Sequence, residues 1–154
     1  HVGSKSVHVS HKINIFRDLM YCRKCGCTKN FKFNFELIQT SGDKYINNNI
    51  TSVLKNYSDK NLKDIVKIKL NSSYSKSSIS RDKKGKTSKF NIVVTTEFNL
   101  INNDKEVKKI TITEEIAIKN TSDSFQQKNY ELKIKKDLSR SIARQFVEKL
   151  TSYK

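Results

Sequence analysis

Between Val66 and Ile118 the chain repeats one pattern three times: apolar residues fall on every second position, with polar residues between them. Val66, Ile68 and Leu70 alternate with Lys67, Lys69 and Asn71, and a Ser-rich tail with Tyr74 and Ile79 follows to residue 80. Phe90, Ile92, Val94, Thr96, Phe98 and Leu100 make the next run, and Ile110, Ile112, Ile116 and Ile118 the last. A period of two sends these side chains to one side of an extended backbone, so each run predicts a strand with one face buried and one wet. Arg81 to Lys89, RDKKGKTSK, is a basic loop around Gly85 that closes a hairpin, and Asn102-Asn103-Asp104 is a tight turn. Glu114 interrupts the last stripe. The expectation there is a bulge that turns it outward, or a solvated strand end.

The flanking residues complete the layout. In FKFNFELIQ (residues 31–39), Phe31, Phe33, Phe35 and Leu37 share one face and Lys32, Asn34 and Glu36 the other, which predicts a further half-buried strand. Ser41-Gly42-Asp43 reads as a turn with Asp43 as helix N-cap. Ile46, Ile50, Val53, Leu54 and Tyr57 then recur at helical spacing. Ser124-Phe-Gln-Gln127 has the form of a capping box, and behind it Tyr130, Ile134, Leu138, Ile142, Phe146, Leu150 and Tyr153 keep one stripe. The expected fold is therefore α+β. A four-stranded, mostly antiparallel sheet carries two amphipathic helices packed on one face, in the order β-α-β-β-β-α.

Charge and composition bound the function. Lys and Arg exceed Asp and Glu by 31 − 15, a formal charge of +16, which suits a polyanionic partner such as nucleic acid, anionic lipid or lipopolysaccharide. Lys, Asn and Ile are all abundant, as AT-rich codon usage produces, so part of that charge is ordinary solvated surface. No apolar run approaches the ~20 residues that span a bilayer as a helix. All His and Cys lie in residues 1–29, a leader of different composition that reads as disordered or translated out of frame, ahead of one domain over residues 30–154. Within the leader, His8-x-x-His11 and Cys22-x-x-Cys25 offer a weak zinc set, lacking the second Cys pair and the Gly-rich knuckles of common zinc sites. Past residue 27 there is no His or Cys for a nucleophile–base pair, and Glu114 and Glu115 diverge on a strand, so an enzyme is not expected and no cofactor is implied. The best site candidate is the basic loop. Arg81, Lys83, Lys84 and Lys86 would cluster at one tip of the sheet and hold a phosphate-bearing ligand; the competing reading is a solvated hairpin whose charge discourages edge pairing.

The strand FKFNFELIQTSGD, the helix INNNITSVLKNY and the strands VKIKLNSSYSKSSISRDKKGKTSKFNIVVTTEFNL and VKKITITEEIAIKNTSDSF, with the closing helix LKIKKDLSRSIARQFVEKL, resemble the LptE family of outer-membrane lipoproteins. The resemblance implies a sheet with two helices on one face and a role without catalysis. It further implies a plug seated inside the LptD β-barrel on the periplasmic side of the outer membrane, assisting that barrel and binding lipopolysaccharide through basic residues at a sheet tip. Arg81, Lys83, Lys84 and Lys86 match that tip in position and chemistry. The alternative from another class is a basic nucleic-acid-binding α+β module, with steeply salt-dependent binding to generic oligonucleotides.

One departure from the family concerns its acylated Cys. Cys25-Gly26 has the expected dipeptide, but Tyr21-Cys22-Arg23-Lys24 before it is unlike a lipobox, which makes Cys25 a poor lipidation candidate. If the leader is out of frame, the other two frames of the upstream DNA will encode an apolar segment ending in a lipobox. Finding neither would remove lipidation from the expectation.

Overall fold

A computed structural model describes residues 32–151. Its elements run β1 (Asn34–Gly42), α1 (Lys44–Lys55), β2 (Ile65–Arg81), β3 (Thr87–Asn102), β4 (Lys105–Lys119) and α2 (Ser124–Thr151). The strands form one sheet in the order β1-β2-β3-β4. β1 and β2 are parallel, which requires a crossover, and α1 provides it. The β2–β3 and β3–β4 pairs are antiparallel hairpins. The expected order and class are those observed.

Both helices lie on the same face. Val66, Ile68, Leu70, Ile92, Val94, Phe98, Leu100, Ile110, Ile112 and Ile118 from the sheet join Ile46, Ile50 and Leu54 of α1 in one continuous core. Ile134, Leu138, Ile142, Phe146 and Leu150 of α2 belong to the same cluster. Phe98 and Phe146 stack with ring centroids 4.0 Å apart and planes 9° from parallel, locking α2 to the middle of β3.

Two turns are fixed by backbone conformation. Asn103 and Asp104 both take positive φ (52° and 62°), as a two-residue hairpin turn that follows strand twist demands. Gly42 has φ 84°, and a Cβ there would meet the Ser72 carbonyl oxygen at 1.8 Å. That carbonyl accepts the Asp43 N–H at 2.9 Å, and the Asp43 carboxylate accepts the Ile46 N–H at 3.0 Å. Asp43 is thus the N-cap expected from the sequence, delivered by a close approach that only glycine permits.

Several expectations need correction. β1 is an edge strand, and only Phe33 of its predicted stripe is fully buried; Phe35 and Leu37 are half-buried, a register shift between Leu37 and Gln39 leaves Ile38 exposed, and Phe31 lies outside the described residues. Asn34, expected on the wet face, is buried and donates to the Leu62 carbonyl at 3.0 Å. Glu114 sits on neither a bulge nor a strand end. It pairs in register with Val94, keeps the inward face, and accepts hydrogen bonds from Ser141 (2.7 Å) and from Gln145 of α2. The stripe is broken there because a polar anchor for the helix occupies that position.

The cap of α2 also differs from expectation. Asp123, one residue before the predicted Ser124, accepts the N–H groups of Phe125 (2.9 Å) and Gln126 (3.1 Å). Gln127 reaches back to the N–H of Thr121 at 2.9 Å. Tyr130 falls off the apolar stripe and is 40% exposed, because Glu131 beside it turns toward the sheet to meet Lys76 at 2.6 Å. Tyr153 lies outside the described residues.

Truncating the stacked ring should expose how strongly α2 depends on it. Phe146→Ala is expected to cost about 3–5 kcal/mol in urea unfolding. Phe125→Ser, at a side chain left 72% exposed, should change stability by less than about 0.5 kcal/mol.

Candidate functional site

The basic loop projects because its two strands outrun their neighbours. β1 stops at Gly42, opposite Ser72, and β4 stops at Lys119, opposite Lys89. β2 continues to Arg81, and residues 82–86 turn the chain back with every residue from 81 to 86 exposed. Asn120 braces the base of the projection. Its N–H donates to the Ser88 carbonyl and its side-chain amide to the Thr87 carbonyl, each at 2.9 Å.

Asp82 builds the turn itself. Its carboxylate accepts the backbone N–H groups of Lys84 and Lys86, both at 2.9 Å. Its own N–H donates to the Lys86 carbonyl at 2.8 Å, and Gly85 N–H returns to the Asp82 carbonyl at 3.0 Å. Gly85 takes φ 82°, which fits its place at the apex. Arg81 folds over the turn, its guanidinium donating to the Gly85 carbonyl at 3.0 Å. The structure therefore gathers all four predicted residues, Arg81, Lys83, Lys84 and Lys86, on one tip. Among the described residues none of the three lysine ammonium groups is held in an ion pair. Such a tip offers several mobile cations to one multiply charged anion.

Sequence reasoning missed three contributors. Asp82 reads as a stray acid in a basic loop, though an Asp opening a turn, here three residues before Gly85, is a signal for side-chain-to-backbone bonding. Lys89 and Lys119 stand opposite each other in register, both exposed, on the face away from the helices. They extend the cationic surface down from the tip. Only the pairing of β3 with β4 brings them together.

Between tip and core, the space under α2 is polar. Ser72 and Thr96 share a buried hydrogen bond of 3.0 Å. Lys76 pairs with Glu131 and sits 4.1 Å from the Phe90 ring centroid. Lys135 of α2 pairs with Asp43 at 3.0 Å and lies 4.1 Å over the Tyr74 ring. Burial pushes the Tyr74 hydroxyl pKa up, helped by the carboxylates of Glu131 and Asp43. Burial would also raise the Asp43 carboxyl, but the Ile46 N–H, the Lys135 ammonium and the Tyr45 N–H together hold it below the ordinary aspartate value.

The leader candidates His8, His11, Cys22 and Cys25 lie outside the described residues. Among the described residues no group of three or more His, Cys, Asp or Glu could hold a metal. No helix among them is long and apolar enough to cross a membrane.

With this geometry in hand, comparison with known proteins is direct. The family model for LptE, lipopolysaccharide-assembly, matches residues 33–150. The chain belongs to the LptE family. Solved structures with the same fold include rare lipoprotein B from Shewanella oneidensis, 19% identical over 77% of this chain and 95% of that one, with TM-score 0.57. Lipoprotein B from Nitrosomonas europaea is 15% identical over 79% of this chain and 86% of its own, with TM-score 0.54. A minor lipoprotein from Acinetobacter baumannii is 12% identical over 74% and 90%, with TM-score 0.51. At these identities the likeness is one of fold. No curated protein matches the sequence. LptE membership carries a class of work with it: lipopolysaccharide assembly, in a family of bacterial outer-membrane lipoproteins that are assembly factors rather than enzymes.

The Asp43 shift has a direction that can be tested. A carboxylate whose folded pKa lies below its ordinary 3.8 adds stability that is fully present above that value and lost as pH falls through the folded pKa. Urea midpoints should therefore decline as pH drops below about 4. Asp43→Asn, which keeps a cap but loses the charge, should flatten that part of the profile.

Proposed function

We propose that this chain is the plug subunit of an LptD-type outer-membrane β-barrel, working from the periplasmic side, and that its basic hairpin tip binds lipopolysaccharide. The observation that carries the reading is the braced, projecting tip, where Arg81, Lys83, Lys84 and Lys86 surround a turn already satisfied by Asp82. Because the Asp82 carboxylate is committed to backbone N–H groups, it leaves the neighbouring ammonium groups available to an outside anion. Phe125, 72% exposed in the first turn of α2, follows Asn120, which is tied to Thr87 and Ser88 at the tip base. A cationic tip with an exposed aromatic 125 − 120 = 5 residues along the chain from the brace at its base suits an amphiphile that carries both phosphates and acyl chains.

The mechanism is electrostatic and steric. Lysine and arginine neutralise the lipid A phosphates while the folded domain occupies the barrel lumen and leaves a lateral path for lipid. Charge-assisted hydrogen bonds are the strong kind, but at an exposed tip each is screened by water and salt, so affinity comes from several cations engaging one anion. The nucleic-acid alternative has less support. The exposed aromatics Tyr45, Phe125 and Tyr130 lie on the helices or at their ends, not interleaved with the lysines of the sheet.

Changing Arg81, Lys83, Lys84 and Lys86 together to Ser should weaken lipopolysaccharide binding by about tenfold or more, with circular dichroism unchanged. Adding Lys89→Ser and Lys119→Ser should weaken it further. Unchanged capture of lipopolysaccharide by the quadruple variant would refute the tip assignment. Co-purification of the intact chain with a large β-barrel tests the plug role separately, whereas a gel shift of generic oligonucleotides that persists at moderate salt and falls steeply above it would favour the nucleic-acid reading.

A further inference from the structure

A second cationic surface lies away from the tip, on the side of the molecule that faces away from the sheet. α1 and α2 leave between them an open groove of about 510 Å³. One wall carries Lys136, Arg140 and Arg144 of α2, and the other carries Asn49, Ser52 and Val53 of α1 with Asn56 and Tyr57 just past its end; no acidic residue lines it. None of the three cations makes an ion pair among the described residues. At one end Lys32 donates to the backbone carbonyl of Asn56 at 2.6 Å, which adds a further positive charge. Three cations in a row along one helix repel one another, and the stripe of Ile134, Leu138, Ile142, Phe146 and Leu150 on α2 is already committed to the core. The row is therefore a charged wall that gains stability when anions occupy it.

The two walls differ in what they ask of an occupant. The α2 wall is made of donors only, so it takes anionic oxygens. The α1 wall is mixed. One of the two amide hydrogens of Asn49 goes to the Tyr45 carbonyl at 2.8 Å, and the other, with the side-chain carbonyl oxygen, is left for an occupant; Ser52 offers a hydroxyl and Asn56 a full carboxamide. A phosphate ligand consists of acceptors and has nothing to give the Asn49 oxygen. A polypeptide has both N–H and C=O groups along its backbone.

Spacing agrees with this. Lys136, Arg140 and Arg144 recur every four residues, about 6 Å along a helix, and cover about 12 Å. Side chains on one face of an extended strand recur about every 6.6 Å. We infer that the groove between α1 and α2 takes an extended acidic segment of a partner protein, with carboxylates at alternate positions seated on Lys136, Arg140 and Arg144. The bidentate geometry of the two arginines matches carboxylates directly, and the α1 wall meets the segment's backbone. The groove is distinct from the hairpin tip. It begins 136 − 124 = 12 residues into α2, about 18 Å from the helix end nearest the tip, so it goes beyond the lipopolysaccharide reading and does not rest on it.

The test uses the full chain and a short fluorescent peptide that alternates Glu and Ser, read by anisotropy at moderate salt. Lys136→Gln, Arg140→Gln and Arg144→Gln combined should weaken binding by about tenfold or more, with an unchanged circular dichroism spectrum. A variant with the same charge loss elsewhere, Lys63→Gln, Lys69→Gln and Lys105→Gln, should bind as the parent does. A peptide with Gln in place of Glu should fail to bind. Equal losses in the two triple variants would overturn the proposal, since net charge alone would then explain the affinity. Tighter binding of inorganic tripolyphosphate than of the peptide, lost in the groove variant, would overturn it as well by assigning the groove to phosphate.

Discussion

The sheet has one apolar side, and everything else in the molecule is arranged to keep that side from water. β3 shows the constraint most sharply. It has a strand on each flank, and Ile92, Val94, Thr96, Phe98 and Leu100 are all buried in alternation. A single helix about 10 Å across could not cover four strands spaced nearly 5 Å apart. Two helices do so by packing side by side, α1 over the parallel pair and α2 over the antiparallel one. The opposite face is left open among the described residues and is built mostly from polar and charged side chains. Thr95 bonds Thr113 at 3.1 Å, and Asn91 reaches Glu115 at 3.4 Å.

The core does not run the whole length of the strands. On β2 the inward positions pass from Val66, Ile68 and Leu70 to Ser72, Tyr74 and Lys76. Phe146 and Ile142 of α2 cover the apolar half, and Glu131 and Lys135 cover the polar half. Lys76 and Lys135, carried inward here, each meet an opposite charge, and Glu114 is met by hydrogen-bond donors instead, as groups withdrawn from water require. Lys76 and Lys135 also lie against aromatic rings, which solvate their ammonium groups in part. The result is a domain with a dry end, under both helices, and a charged end that leads to the hairpin tip. That gradient puts the cationic loop on a stiff, two-stranded extension and keeps it clear of the core.

Local pattern made most of this legible. Alternation located all the strands, helical spacing located both helices, and Asp43 announced the start of α1 through its place after Ser41-Gly42. The tip residues were readable because a run of lysines around a glycine between two apolar alternations has few other destinations. What escaped the sequence depends on partners distant in the chain. Glu114 looks like a flaw in a stripe until Ser141 and Gln145 arrive from α2. Tyr130 looks apolar and in phase, but the sheet beneath it offers Lys76, so Glu131 takes the inward place. Asn34 is buried only because the loop after α1 presents the Leu62 carbonyl. The groove cations Lys136, Arg140 and Arg144 read as an ordinary solvated helix face; the packing of α1 alongside turns them into one wall of a cleft.

Because β1 ends at Gly42, the final stretch of β2 from Ser73 to Arg81 has no strand on that flank among the described residues. Its main-chain amides and carbonyls there must find water, and an idle ladder of this kind readily recruits a stray chain into the sheet. The choice of side chains answers that hazard. Ser73, Ser75, Ser77, Ser78 and Ser80, with Lys76 among them, are compact and thirsty and hold hydration close to the backbone, so that Ile79 stands as an isolated oily side chain on this margin. A bulkier, greasier stretch would leave two copies of the protein free to zip together along their bare margins.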